Sequence, residues 1–245
     1  MASSAREAVH QVAPTDGILE GLKIYTVHYS PFVERRQHLE RELQSHGLDR
    51  FPVRWITEFD REAILEEHAR GAYGDPVAFP AAFVSVILKH LEAFRLAAES
   101  DAPWHLVLED DILIQPDFLN RLSRALGELP EDWEIFFVGD GCNLHVPFWR
   151  RRPGRIAQYR GYKPKWWGGG GISRCGAAYV IRPESARRFL GAKQAAPPFY
   201  TAIDWLMNDA GMELKFQSYW AEPPLICQGA FPSWTLDEKL NPGNV

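Results

Sequence analysis

The apolar positions of the chain alternate between the period of a strand and the period of a helix. Leu22-Lys23-Ile24-Tyr25-Thr26-Val27 is short and β-rich and reads as a strand that runs into the turn signal Tyr29-Ser30-Pro31. A helical stretch from Val33 to His46 follows and is closed by Gly47. Val53-Arg54-Trp55-Ile56 reads as a second strand, so the chain opens strand, helix, strand, the order that builds a parallel α/β sheet. From Phe83 to Glu99 the apolar residues Val84, Ile87, Leu88, Leu91, Phe94 and Ala98 recur at helical spacing. Trp104 to Leu108 is then a strand that ends in three acids, Phe118 to Leu129 a helix, and Ile135 to Val138 a strand stopped by Gly139-Asp140-Gly141.

Beyond that point the pattern loosens. Pro147 to Gly171 is rich in Arg, Gly and aromatics with little periodicity, and reads as a long loop or a set of short excursions, which in a compact domain are often functional. Ala177 to Ile181 is a strand, Pro183 to Leu190 a short helix with proline in its first turn, and Ile203 to Ala210 another helix ended by Gly211. The Pro- and Gly-punctuated stretch after Pro223 is expected to wrap the body, and Met1 to Gly17 to be a disordered tail. With no repeat and no sharp break in composition, residues 18–245 read as one α/β domain with a mostly parallel, twisted sheet flanked by helices.

Composition narrows the function. Hydrophobic residues make up 46% of the 245 and charged ones 24%, enough to bury a core. A net charge of −5 is the wrong sign for a chain that lives on nucleic acid. Cys142, Cys175 and Cys227 are too few and too scattered for a disulfide scaffold or a zinc site. No apolar run approaches the ~20 residues of a spanning helix, and the N-terminus lacks the layout of a signal peptide. A cytoplasmic protein is the expectation, one able to sit peripherally on a membrane.

The chemistry concentrates in Glu109-Asp110-Asp111. In open parallel sheets ligands collect at the C-terminal ends of the strands, and three adjacent acids repel one another unless a cation or a set of donors meets them. Carboxylate oxygens suit Mg²⁺ and Mn²⁺, and such an ion also binds a diphosphate. On an extended chain Glu109 and Asp111 point to one side, with Asp110 turned inward or toward its neighbours. The competing account is a solvated acidic turn before the next helix.

Leu106-Val107-Leu108-Glu109-Asp110-Asp111-Ile112 resembles the central motif of family 25 glycosyltransferases, the bacterial lipopolysaccharide-type galactosyltransferases and their collagen-modifying relatives. Val33-Glu34-Arg35-Arg36, the helix stretch Leu88 to Arg95, Pro116-Asp117-Phe118-Leu119, Asp132-Trp133-Glu134-Ile135, Gly176 to Ile181 and Ala202-Ile203-Asp204-Trp205 resemble further motifs of that family in the same order. Lys89 stands where the family usually has Ser, Phe94 where Trp is common and Ser85 where Gly is common. The resemblance implies a single nucleotide-binding domain of the GT-A type, a UDP-sugar donor, Mn²⁺ or Mg²⁺, and inversion at the anomeric carbon.

Roles follow from the two readings together. Glu109 and Asp111 are the metal and donor site, Asp111 the more direct ligand, and Asp110 binds ribose or metal. Thr26, Val27 and His28, at the end of the first strand, lie beside the nucleotide. Arg35 and Arg36 contact phosphate or ribose, or else pair on the helix surface, as Arg36 can with Glu40. His90 is a donor-site residue or a satisfied core histidine. Asp204 is the first candidate for the base that an inverting transferase needs, and Asp140 the second. Trp166 and Trp167 stack on a sugar or simply pack, and Arg150, Arg151, Arg152 and Arg155 meet an anionic acceptor or only solvent. A nucleotidyltransferase is disfavoured because Leu22 to Tyr29 holds no glycine for a phosphate loop. A catalytically inactive relative that binds a glycan or a partner remains the alternative from another class.

Overall fold

The structure is a computed structural model that describes residues 17–141 and 143–229. The tail expected over Met1 to Gly17 lies, apart from Gly17, outside the described residues, as does Cys142.

The elements run β1 (Lys23–Val27), α1 (Val33–Ser45), β2 (Val53–Ile56), α2 (Arg61–Ala69), α3 (Ala81–Ala98), β3 (His105–Glu109), β4 (Ile112–Ile114), α4 (Phe118–Glu128), β5 (Ile135–Phe137), β6 (Ala157–Tyr159), β7 (Ala178–Ile181), α5 (Pro183–Leu190), α6 (Ile203–Leu214), β8 (Ser218–Ala221) and β9 (Ile226–Gln228). Seven strands form one sheet in the order β2-β1-β3-β7-β5-β8-β6, and β4 pairs with β9 in a separate two-stranded sheet. In the large sheet β1 is parallel to β2 and β3, and β5 to β8, while β7 is antiparallel to both β3 and β5, and β6 to β8. Five strands therefore run one way and two the other: a mixed α/β sheet, mostly parallel in strand direction.

Alternation along each strand builds two cores. Tyr25, Val27, Val107, Ile135, Phe137, Tyr179 and Ile181 face α3, α5 and α6. Their neighbours Ile24, Leu106, Leu108, Phe136 and Val180 face α1 and α4. A central strand covered on both faces has no polar face to offer, which is why His105 to Leu108 is buried throughout. Phe94 on α3 stacks on Phe189 of α5, ring centroids 4.3 Å apart, and on Tyr179 at 5.8 Å. The same helix buries the polar residues Ser85, Lys89 and His90 among its apolar ones.

Several elements differ from the sequence reading. The stretch Pro147 to Gly171 contains the edge strand β6, and the Pro-rich stretch after Pro223 contributes β9. Helix α6 does not stop at Gly211 but ends at Leu214, with Lys215 at φ 56°. Gly211 serves close packing instead: a Cβ there would lie 2.8 Å from Ile172 Cγ1. No helix among the described residues is long and apolar enough to cross a membrane. Truncating Phe94, which is fully buried, to Ala removes the contact that joins α3 to α5. Denaturant unfolding should show a loss of about 3–5 kcal/mol; a loss under about 1 kcal/mol would mean that this contact is not holding the two helices together.

Candidate active site

Strand register assembles the site. Val27 of β1 pairs with Glu109 of β3, so the next residues, His28 and Asp110, emerge side by side. His28 Nδ1 lies 2.7 Å from Asp110 Oδ2, and because a carboxylate only accepts, the imidazole donates from that nitrogen. Arg35 reaches over from α1, its Nη1 3.2 Å from Asp110 Oδ1 and 4.0 Å from Asp111 Oδ2. Asp110, 5% exposed, is thus turned inward with both oxygens engaged.

Glu109 faces the opposite side of the sheet. There His90 of α3 places Nε2 3.3 Å from Glu109 Oε1, while its Nδ1 sits 2.9 Å from the Tyr179 hydroxyl. The consistent proton arrangement is Tyr179 donating to Nδ1 and Nε2 donating to Glu109. Complete burial, and then the Glu109 charge, hold the Tyr179 hydroxyl well above its ordinary pKa, so it keeps the proton it donates. His90 is itself fully buried and acts here by orienting Glu109.

Asp111 lacks such support. Its Oδ1 is buried and has no hydrogen-bond partner among the described residues. Burial first, then the Glu109 charge, push its carboxyl up to about 7, against the opposing pull of Arg35 and of a hydrogen bond from the Gln228 side chain. The backbone around it is held by Gly229 N, which donates to the Asp111 carbonyl at 2.6 Å.

These groups open onto a cleft of about 300 Å³. Its acidic floor is Glu109, Asp110 and Asp111, and its rim includes Gln228. Val27, His28, Tyr29, Phe32 and Arg35 form one wall; Arg61 and the α3 residues Ala82, Ser85, Val86 and Lys89 form the other. Lys89 is 1% exposed; its Nζ donates to the His28 carbonyl at 2.6 Å and pairs with Asp60, the residue before α2. Desolvation lowers its pKa and the Asp60 pair opposes that shift. Asp60 also accepts from Ser30 N at 3.2 Å, so one buried ion pair ties the loop after β1 to α2 and α3. Arg61 lies 4.1 Å over the Tyr29 ring, and the Tyr29 hydroxyl donates to Glu62.

The remaining candidates are dispersed. Thr26 is buried, its hydroxyl on the Arg54 carbonyl at 3.3 Å, and it does not line the cleft. Arg36 lies on the outer surface of α1, paired with Glu40 at 3.0 Å and 4.6 Å over the Trp55 ring. Asp140 accepts from Gln228 N at 3.1 Å and so anchors the end of β9. Asp204 is half-buried in the first turn of α6. That turn starts beside the triplet: a Cβ on Gly176 would lie 3.0 Å from Glu109 Oε1 and 3.3 Å from Ile203 Cγ2. Trp166 is exposed, whereas Trp167 packs against the core with Arg160 5.2 Å over its ring. Arg160 also donates to the Gly168 and Gly169 carbonyls, which pins the glycine-rich loop to the body. Sequence reasoning gave no role to Phe32, Arg61, Lys89 or Gln228 in the cleft. Gln228 is more than a hundred residues from the acids it meets, and nothing local marks it.

No family model matches the chain. Over 132 residues, 51% of its length, it is 24% identical to "Putative glycosyltransferase R655" of Acanthamoeba polyphaga mimivirus, and the match spans 39% of that protein. Several solved structures are similar, among them the following two. A glycosyltransferase involved in the glycosylation of the major capsid of PBCV-1 is 8% identical, covers 89% of this chain and 97% of its own, and has a TM-score of 0.46. The apo form of mouse xyloside xylosyltransferase 1 is 12% identical, covers 78% of this chain and 69% of its own, and has a TM-score of 0.38. Over the matched 132 residues, then, the chain is glycosyltransferase-like in sequence.

The raised Asp111 pKa has a consequence for stability. The folded carboxyl keeps its proton up to about 7, while the unfolded one loses it near 3.8. The folded state therefore binds more protons between those values, and this group's contribution to stability falls as pH rises through that window. Asp111→Asn should raise the Tm of the metal-free protein at about pH 8 by roughly 2–8 °C, with the gain shrinking toward about pH 5. A variant less stable than wild type at the higher pH would contradict this electrostatic picture.

Proposed function

We propose that the protein is an inverting glycosyltransferase of the family 25 kind. It moves a hexose, galactose before others, from a UDP-sugar to a hydroxyl of a glycan or similar acceptor, with Mn²⁺ or Mg²⁺ at the acidic triplet. The observation that carries this reading is the Asp111 carboxylate, whose buried Oδ1 lacks a partner among the described residues while burial and neighbouring charge oppose its ionisation. A carboxylate so placed is stabilised by a cation entering the cleft.

The donor set fits such an ion. Among the described residues no three His, Cys, Asp or Glu side chains converge into a closed metal cage. Mg²⁺-like ions need no such cage: one or two carboxylates hold them, and substrate phosphates and water complete the shell. Glu109 and Asp111 are the residues that would hold it. When bound, the metal neutralises charge growing on the leaving diphosphate. Arg35 and Arg61 supply guanidinium groups to the same cleft and suit phosphate oxygens. His28, Tyr29 and Phe32 line its inner wall and would flank the nucleotide.

Asp204 would be the base. As the bond from the anomeric carbon to the phosphate oxygen breaks, the acceptor oxygen bonds to that carbon from the opposite side and its proton passes to the Asp204 carboxylate. Asp204 is preferred over Asp140 because an Asp140 oxygen already accepts from the Gln228 amide. Transferase chemistry is supported by the mimivirus similarity; the donor sugar and the inversion rest on the family 25 resemblance.

Calorimetry of UDP binding tests the donor site. Wild type should bind UDP with Mn²⁺ and lose that binding in EDTA, and Asp111→Asn should bind at least about tenfold more weakly in Mn²⁺. Absence of UDP binding under both conditions would remove the UDP-sugar reading. Asp204→Asn should keep UDP affinity while kcat falls by about 10²–10⁴-fold; unchanged turnover would send the base assignment elsewhere.

A further inference from the structure

We infer that the turn at residues 147–154 is a docking surface for an anionic lipid bilayer. Phe148 and Trp149 are consecutive residues of a 3-10 turn, 77% and 59% exposed, their rings 4.9 Å apart and edge to face. Arg150 and Arg152 are exposed beside them, on a chain whose net charge is −5. Residues on both sides of Arg151 are exposed and none of residues 147–154 lines the cleft, whereas soluble sugars are usually taken in concave sites. Aromatic side chains settle at the headgroup level of a bilayer, and basic ones beside them are drawn to its anionic lipids.

The turn is held from beneath, so its exposure is a built feature and not the fraying of a loop. Arg151 points inward: its Nε donates to the Val146 carbonyl at 2.6 Å and its Nη2 pairs with Glu222 at 3.1 Å. Glu222 is buried, pairs with Arg174 at 3.2 Å and accepts from Val146 N at 2.8 Å. On the other side Gln158, 2% exposed, accepts from Arg152 N at 2.7 Å and donates to the Arg152 and Arg155 carbonyls. Two buried polar groups thus fix the backbone on either side of an apolar and basic turn.

Its place in the sheet matters. Because β6 is antiparallel to β8, and β8 runs with β5, the turn leading into β6 lies at the end of the sheet where β1 and β3 deliver the acidic triplet. That edge of the sheet is four strands from β3, and the turn also meets α4 through Arg124, which donates to the Gly154 carbonyl. Membrane binding itself does not depend on the transferase reading; that a hydroxyl acceptor would lie at the bilayer surface does.

Co-sedimentation of the full chain with phosphatidylcholine vesicles, with and without phosphatidylglycerol, tests the inference, and UDP binding in Mn²⁺ is measured on the same preparations. Wild type should partition onto the phosphatidylglycerol vesicles and not the neutral ones, and salt should weaken the binding. Arg150→Gln with Arg152→Gln should weaken it by roughly 30-fold, about fivefold for each charge. Phe148→Ser with Trp149→Ser should also abolish most binding, with unchanged Tm and UDP affinity as the check that both variants fold. No partition of wild type, equal partition onto neutral vesicles, unaltered binding by both variants, or binding of a soluble acidic polysaccharide in place of vesicles would each overturn the inference. Vesicle binding without UDP binding would instead retire the transferase reading and leave the membrane surface standing.

Discussion

Repulsion among three consecutive carboxylates is the constraint around which this molecule is organised. Glu109, Asp110 and Asp111 end a strand that is buried on both faces, and are themselves half-buried or buried, so water disperses their charge less than on a surface turn. The fold divides the load. Asp110 is met by His28 and Arg35, and Glu109 by a histidine that is itself oriented by a buried tyrosine. Among the described residues Asp111 receives a distant guanidinium and a side-chain amide, and keeps one oxygen without a partner. The asymmetry has a chemical meaning. Asp110 has both oxygens tied into the framework, while Glu109 and Asp111 are the two acids that the proposed metal site would use.

The surrounding architecture reads as support for that arrangement. The buried Lys89–Asp60 pair joins α3, α2 and the loop after β1, so the wall that carries His28 and Tyr29 is fixed to the helix that carries His90. Removing one member of a buried pair is costly because the other charge is then stranded, which makes this tie a rigid one. On the far rim, β9 is joined to Asp140 through Gln228 N, to Asp111 through the Gln228 side chain and to the Asp111 backbone through Gly229. Asp140 is thereby drawn into holding the strand that braces Asp111, a use of an acid that differs from catalysis.

Much of this was legible in the sequence wherever local pattern decides structure. The strand at Lys23–Val27, the helix at Pro183–Leu190 and the acids at the end of a strand follow from periodicity, proline placement and the run Leu106-Val107-Leu108. Strand direction did not follow, because β7 is as apolar as a parallel strand when both its faces are covered. The edge strand β6 was hidden in three residues within an Arg- and Gly-rich stretch. Gly211 read as a helix stop, yet its lack of a side chain answers to Ile172, which comes from elsewhere in the chain. In the site, Glu109, Asp110 and Asp111 were visible as a cluster. Strand alternation also turns Asp110 inward; the partners that meet each acid were not legible, because His28, His90 and Gln228 arrive by strand register and tertiary contact.

The proposed donor site would hold a cation fully only when a diphosphate completes its shell. The electron paramagnetic resonance signal of free Mn²⁺ tests this directly, titrated with the protein alone and then with UDP added. Because coupling between two ligands is reciprocal, the account predicts weak loss of free Mn²⁺ signal with protein alone and a marked further loss when UDP is added. Mn²⁺ bound equally well with and without UDP, or not bound in either case, would contradict it.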